Sequence, residues 1–189
     1  MAVNLSAWNL RDDTLPETIA ALLERYAVPA GLLCVELTES ALMTDAGHSL
    51  DVLARIFAMG VHISIDDFGT GYSSLAYLKR LPVDELKIDR SFVQHMATDG
   101  ADAIIVRSTV DLAHSLGLKV VAEGVEDEIT WQRLAELGCD VAQGWLLAKA
   151  LPAHEAPAWL NRRALSVPPG RPSALPAPKP RPQVRTTRP

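Results

Sequence analysis

Four carboxylates, Glu36, Asp66, Asp67 and Glu123, stand with Lys87, Asn4 and Gln143 near the ends of successive apolar runs. Brought together, such acids raise one another's pKa and resist ionising side by side. A divalent cation relieves that repulsion. An all-oxygen donor set, with no Cys and no His at a strand end, favours Mg2+ or Mn2+ over Zn2+. The adjacent Asp66 and Asp67 allow one acid to bridge two ions. Two-ion sites typically serve phosphate-ester hydrolysis, in which one ion activates water and both stabilise the developing charge. In that chemistry Lys87 orients the water or neutralises the phosphate. The competing reading pairs each acid with a local Lys or Arg on the surface, and polar groups ending successive strands in step argue against it.

The stretch 61–74, Val-His-Ile-Ser-Ile-Asp-Asp-Phe-Gly-Thr-Gly-Tyr-Ser-Ser, is the centre of this constellation. An apolar strand delivers two acids to the carboxyl end of a sheet, where α/β folds keep their chemistry. The loop that follows bends at its glycines and offers backbone N–H and hydroxyl groups.

Six short β-type runs position these residues: 2–5, 31–37, 61–66, 83–88, 118–122 and 139–143. Helical sequence alternates with them over about 15–26, 46–59, 73–79, 101–116, 128–137 and 154–164. Thr14 is the expected N-cap of the first helix, Pro16 lies in its first turn, and Gly60 and Gly117 are expected helix stops. The alternation predicts a parallel sheet with right-handed crossovers, which an open doubly-wound sheet and a (β/α)8 barrel both satisfy. Parity favours the barrel. Each run has one apolar face and an opposite face with a polar group near its end: Asn4, Glu36, Asp66, Lys87, Glu123 or Gln143. A doubly-wound sheet would want both faces apolar. The expected fold is thus a TIM-like (β/α)8 barrel with about six βα units present, and about two units expected on the N-terminal side.

Composition is that of an ordinary soluble domain, 48% hydrophobic and 22% charged, with no run as long as a membrane span and no signal-peptide pattern. Cys34 and Cys139 read as small buried hydrophobes of a reducing, cytoplasmic setting. Residues 1–165 carry 13 basic against 23 acidic groups, a net of −10, which disfavours binding of polymeric nucleic acid. Residues 166–189 hold five basic groups, no acid and eight of the 13 prolines, and are expected to be a disordered basic tail. The five histidines are scattered, and Trp8, Trp131 and Trp159 read as packing residues. Trp145, directly after Gln143-Gly144, is a candidate to lie near a bound base. Glu126 reads as a support for loop geometry.

Over about residues 2–160 the chain resembles the EAL domain, the bacterial cyclic di-GMP phosphodiesterase. The resemblance rests on Val3-Asn4-Leu5-Ser6, Val35-Glu36-Leu37-Thr38-Glu39-Ser40, Asp66 through Leu75, Leu86-Lys87-Ile88-Asp89, Ala122-Glu123-Gly124-Val125-Glu126 and Gln143-Gly144-Trp145. It implies that Asn4, Glu36, Asp66 and Asp67 are metal ligands, and that Glu123 is a further carboxylate of the metal and water site. It also implies that Lys87 positions the attacking water, that Gln143 belongs to the same pocket and that Glu39 anchors the 67–74 loop. The implied reaction opens cyclic di-GMP to linear pGpG with Mg2+ or Mn2+. Implied partners are a second copy through the 67–74 loop and an upstream sensor or GGDEF domain, while the open sheet edges of a six-unit barrel predict oligomers on physical grounds.

The sequence departs from the family in one respect. The Glu-Ala-Leu segment, whose Glu is a metal ligand in the family, and an arginine beside it are not found, because the chain starts at the Asn strand. Ala150 also stands where the family usually has proline. The missing segment predicts low or no activity for these 189 residues. It keeps open a catalytically inactive binding or regulatory module, and more remotely another metal-dependent barrel phosphodiesterase.

Overall fold

A computed structural model describes residues 1–43, 46–71 and 75–164. The strands are β1 (Ala2–Asn4), β2 (Cys34–Thr38), β3 (His62–Phe68), β4 (Glu85–Ile88), β5 (Lys119–Ala122) and β6 (Val141–Ala142). The helices are α1 (Leu15–Arg25), α2 (Glu39–Met43), α3 (Ala46–Ala58), α4 (Leu75–Leu78), α5 (Arg90–Val93), α6 (Gly100–Ser115), α7 (Glu128–Glu136) and α8 (Ala156–Ala164). Short 3-10 turns at Asn9–Arg11 and Ala30–Leu32 precede α1 and β2. The expected start at Ser73 of the helix observed as α4, and the tail 166–189, lie outside the described residues.

All five strand pairs are parallel, and the sheet runs β1-β2-β3-β4-β5-β6 in chain order. A doubly-wound sheet reverses strand order at a switch point. The absence of a reversal here leaves the barrel order, with six strands and with β1 and β6 unpaired with one another among the described residues.

Side-chain alternation explains the layering. Leu37, Ile63, Ile65, Leu86, Ile88, Val120 and Ala122 have the outward parity and are all fully buried beneath the helices. They join Val52, Leu53 and Ile56 of α3 and Val106, Val110 and Ala113 of α6 in one core. Glu36, Asp66, Lys87 and Glu123 have the inward parity.

Caps differ in one place from the sequence reading. Thr14 precedes α1 but its side chain makes no capping bond. Instead Asp12 Oδ1 accepts from both Thr14 N–H, at 2.8 Å, and Thr14 Oγ1–H, at 2.6 Å. The Asx turn captures the threonine before its hydroxyl can face the helix. Elsewhere Asp99 accepts from Ala101 N–H at 2.7 Å to cap α6, and Asp127 accepts from Thr130 N–H at 2.8 Å to cap α7.

At the carboxyl end of the sheet the chain after β6 crosses the chain after β5 backbone to backbone. Val125 N–H donates to the Gln143 carbonyl at 3.0 Å and Leu146 N–H to the Val125 carbonyl at 3.0 Å. A Cβ on Gly144 would lie 2.1 Å from the Val125 carbonyl oxygen, so only glycine fits. Gly144→Ala is expected to lose about 3 kcal/mol of stability, the upper range for forced overpacking, because the obstacle is backbone. Chemical denaturation followed by circular dichroism measures it, and a loss under about 1 kcal/mol would contradict the crossing.

Candidate metal and phosphodiester site

Consecutive residues of a regular strand point to opposite faces, so Asp66 and Asp67 should not share one. The structure resolves the conflict with a bulge. In the β3–β4 ladder Ile65 faces Leu86 and Phe68 faces Ile88, so Asp66 and Asp67 together oppose Lys87 alone. Asp67 takes φ = 54°, the left-handed region that Asp tolerates better than most residues. Oxygens of Asp66, Asp67 and Glu123 then lie within 4.8 Å of one another, a group able to hold a metal ion.

Lys87 is buried among these acids. Its Nζ lies 2.6 Å from Glu123 Oε1, 3.0 Å from Asp66 Oδ1 and 3.1 Å from Glu36 Oε1. Burial works against its charge, but hydrogen bonds to Glu123 and Asp66 outweigh that and hold its pKa above the usual lysine value. Burial pushes the Glu123 carboxyl up, against the pull of Lys87. Burial, followed by the charges of Asp66 and Asp89, raises Asp67. Such a set of oxygens fits a hard divalent cation.

The sequence-derived residues fall around this centre. Glu36 reaches it through Lys87. Asn4 stands opposite Glu36 in the β1–β2 register, exposed at the edge of the sheet. Gln143 follows β6, and its N–H donates to the Ala122 carbonyl at 2.8 Å beside Glu123. Glu39 opens α2, is buried, and accepts from Gly69 N–H at 3.0 Å through Oε2. A Cβ on Gly71 would come within 3.0 Å of Glu39 Oε1, so the loop runs close against the carboxylate there. Residues 72–74 of that loop lie outside the described residues.

Two features escaped the sequence reading. Asp89 ends the inward series of Glu85 and Lys87, and shares a hydrogen bond with Asp67. Burial would raise Asp89, but the Ser91 hydroxyl and N–H that it accepts from lower it overall, and it caps α5. Its spacing was the available signal. Glu85, one layer below, accepts from Ser64 Oγ–H at 3.0 Å and is raised by burial. The histidines remain outside the site. His62 pairs with Asp84 at 3.2 Å and His114 with Asp140 at 2.9 Å, and the same aspartates accept from Ile63 and Val120 N–H near the amino ends of β3 and β5.

The EAL domain family model matches residues 1–150. The chain is 50% identical over 155 residues to the bifunctional diguanylate cyclase/cyclic di-GMP phosphodiesterase MucR of Pseudomonas aeruginosa, covering 82% of this chain and 23% of MucR. It is 41% identical over 152 residues to the cyclic di-GMP phosphodiesterase RocR of that organism, covering 80% and 39%. The chain thus spans well under half the length of both relatives. Among solved structures, the MucR phosphodiesterase in complex with cyclic di-GMP superposes with a TM-score of 0.79 over 82% of this chain and 63% of that one, at 50% identity. The Klebsiella pneumoniae BlrP1 complex with calcium and cyclic di-GMP gives 0.71 over 77% and 37%, at 32% identity.

Ion binding requires ionised carboxylates. Asp67 and Glu123, raised in the fold, keep their protons over a pH interval in which the unfolded chain has released them. Their contribution to stability therefore falls as pH rises through that range, and a cation that binds the ionised pair offsets the loss. The gain in Tm from millimolar Mn2+ is expected to be largest near about pH 7.5 and to shrink towards about pH 5. Scanning calorimetry at both pH values measures this, and equal gains would contradict the carboxylate assignment.

Proposed function

The chain belongs to the EAL domain family, and on that premise we propose that it is a cytoplasmic cyclic di-GMP phosphodiesterase module of bacterial second-messenger signalling that opens the cyclic dinucleotide to linear pGpG. The observation that carries this reading is Lys87 held among Glu36, Asp66 and Glu123 within reach of the bulged Asp67.

Asp66, Asp67 and Glu123, joined by Glu36 and Asn4, would hold Mg2+ or Mn2+. Such ions, when held by these residues, would supply water activation and neutralisation of charge at phosphorus. Lys87, its pKa raised, stays protonated at neutral pH. It is therefore a hydrogen-bond donor and positive charge, not a base. It orients the oxygen of the attacking water and offsets the growing charge of the phosphodiester. Water adds to phosphorus, the bond to the ribose 3′ oxygen breaks as that oxygen takes up a proton from the water to become a hydroxyl, and the 5′ phosphate stays on the linear product. Gln143 binds the same substrate, and Glu39 keeps the loop after β3 against the site.

Chromatography of the nucleotides tests the reaction. The chain with Mn2+ is expected to yield pGpG only slowly, since these 189 residues do not include the Glu-Ala-Leu ligand, and Lys87→Gln to lower that slow kcat by about 100-fold or more while retaining the circular dichroism of the fold. No pGpG from the wild-type chain, or undiminished turnover by the variant, would contradict the proposal.

Self-association completes the reading. The outer edges of β1 and β6 are unpaired among the described residues, and Val3 and Val141 on them are exposed. Such edges template pairing with another chain. Oligomers are expected in sedimentation velocity, through these edges or the 67–74 loop, and a monodisperse monomer that melts cooperatively would contradict them. An upstream sensor or GGDEF domain fits the same signalling role.

A further inference from the structure

Two aspartates at the far end of the sheet from the acidic centre hold the same place in the fold. Asp84 directly precedes β4, and Asp140 directly precedes β6. Asp84 Oδ2 accepts from Ile63 N–H at 3.0 Å, and Asp140 Oδ2 accepts from Val120 N–H at 2.8 Å. Each carboxylate thus reaches across to the neighbouring strand and serves a backbone donor as a ladder carbonyl does elsewhere. A histidine braces each one. His62 Nδ1 lies 3.2 Å from Asp84 Oδ2, and His114 Nε2 lies 2.9 Å from Asp140 Oδ2. Strands β2, β3 and β5 begin differently, preceded by the apolar Leu33, Val61 and Leu118. Asp84 is tied through its backbone as well: its N–H donates to the Ile63 carbonyl at 2.9 Å, and its carbonyl accepts from Lys119 N–H at 3.0 Å.

The offsets along the chain link these contacts to the site. Asp66 lies three residues after Ile63, and Lys87 three after Asp84. Glu123 lies three residues after Val120, and Gln143 three after Asp140. Each contact therefore fixes two neighbouring strands against one another about 10 Å below a pair of site residues. Register matters there because a slip of one residue turns every side chain to the other face. For β3 and β4 the constraint is tighter still. Between the Ile63–Asp84 contact and the Phe68–Ile88 pair, β3 has residues 64–67 and β4 only residues 85–87. One residue of β3 must bulge inside that interval. Ser64 Oγ–H, donating to Glu85 Oε1 at 3.0 Å, confines the bulge to its upper part, at Asp66 and Asp67. Were the extra residue taken up below Ser64 instead, Asp66 would turn outward and Ile65 inward. We propose that Asp84 and Asp140 are positioning residues, register latches at the amino end of the sheet that set the Asp66–Lys87 and Glu123–Gln143 pairs at its carboxyl end. The inference rests on the reading of the acidic centre as a divalent-cation and phosphodiester site, and adds what holds that centre in register.

Mn2+ titration followed by electron paramagnetic resonance, with Tm from scanning calorimetry, tests the latches. Asp84→Ala and Asp140→Ala are each expected to weaken Mn2+ binding about 10-fold, as loss of a residue that orients metal ligands does. Asparagine keeps an oxygen able to accept from the same N–H, so Asp84→Asn and Asp140→Asn should restore most of the affinity. Leu53→Ala, which empties a fully buried position of α3, is expected to lower Tm at least as much and leave Mn2+ affinity unchanged. Unchanged affinity in the alanine variants, no rescue by asparagine, or an equal loss in Leu53→Ala would overturn the latches. Should Asp84→Ala not fold, Asp140→Ala, on the outermost strand, supplies the same comparison. Cross-strand nuclear Overhauser contacts read the register without any ion. Those between Ser64 and Glu85 are expected in the wild-type chain and in Asp84→Asn, and are expected to be lost or displaced by one residue in Asp84→Ala. Their persistence in Asp84→Ala would overturn the latch on β4. A wild-type chain that binds no Mn2+ would overturn the reading of the main site, and the Overhauser contacts then decide the latch alone.

Discussion

A β-strand cannot aim two consecutive side chains the same way, and the site depends on breaking that rule once. Two residues of β3 stand against one of β4, and the left-handed turn at Asp67 brings its carboxylate into the group of Asp66 and Glu123. A non-glycine residue in this conformation costs of order 1 kcal/mol or more, and such strain persists where surrounding structure over-determines it. Here the surroundings are specific. Phe68 resumes the ladder opposite Ile88, Asp89 shares a hydrogen bond with Asp67, and Gly69 is tied to Glu39. The bulge is therefore held from both sides, and the acids it gathers are displayed at the rim of a rigid sheet.

Gathering acids creates a second constraint, which Lys87 meets. Four carboxylates around one ammonium leave an excess of negative charge even when every short contact is made. Burial first, and then that excess, raises Asp67 and Glu123, while the hydrogen bonds to Glu123 and Asp66 keep the proton on Lys87. It is also why a divalent cation suits the site: the repulsion is built into the fold, and a hard cation is the partner that removes most of it at once. Lys87 serves as structural counter-charge and, in the proposed reaction, as a fixed donor towards the phosphodiester.

Much of this was legible in the sequence because parity and spacing are local properties. The inward set Glu36, Asp66, Lys87 and Glu123 could be read from alternation, and the outward set from its apolar character. The barrel order followed from the same alternation, since doubly-wound sheets need two apolar faces. What could not be read depends on pairing between strands. The bulge is a property of β3 against β4, and nothing in Ile-Asp-Asp-Phe alone says that Asp67 turns inward. The capture of Thr14 by Asp12, and the hydrogen bond between Asp67 and Asp89, likewise depend on which of several competent partners arrives first. Short helices such as α2 and α5 were missed because one turn carries no periodicity.

The sequential strand order has a kinetic consequence. Paired residues in neighbouring strands are close along the chain, from 20 residues apart for Val121 and Val141 to 34 for Glu85 and Lys119. Each strand can therefore dock on its predecessor as soon as one intervening helix has emerged, without waiting for distant segments. Loop-closure entropy is met in similar modest steps, which favours strand-by-strand growth during synthesis. Glu36 and Asp66 are in place before Lys87 is made, so the nascent sheet carries unbalanced negative charge until β4 arrives. The fourth strand is then the step at which assembly changes from electrostatically uphill to downhill.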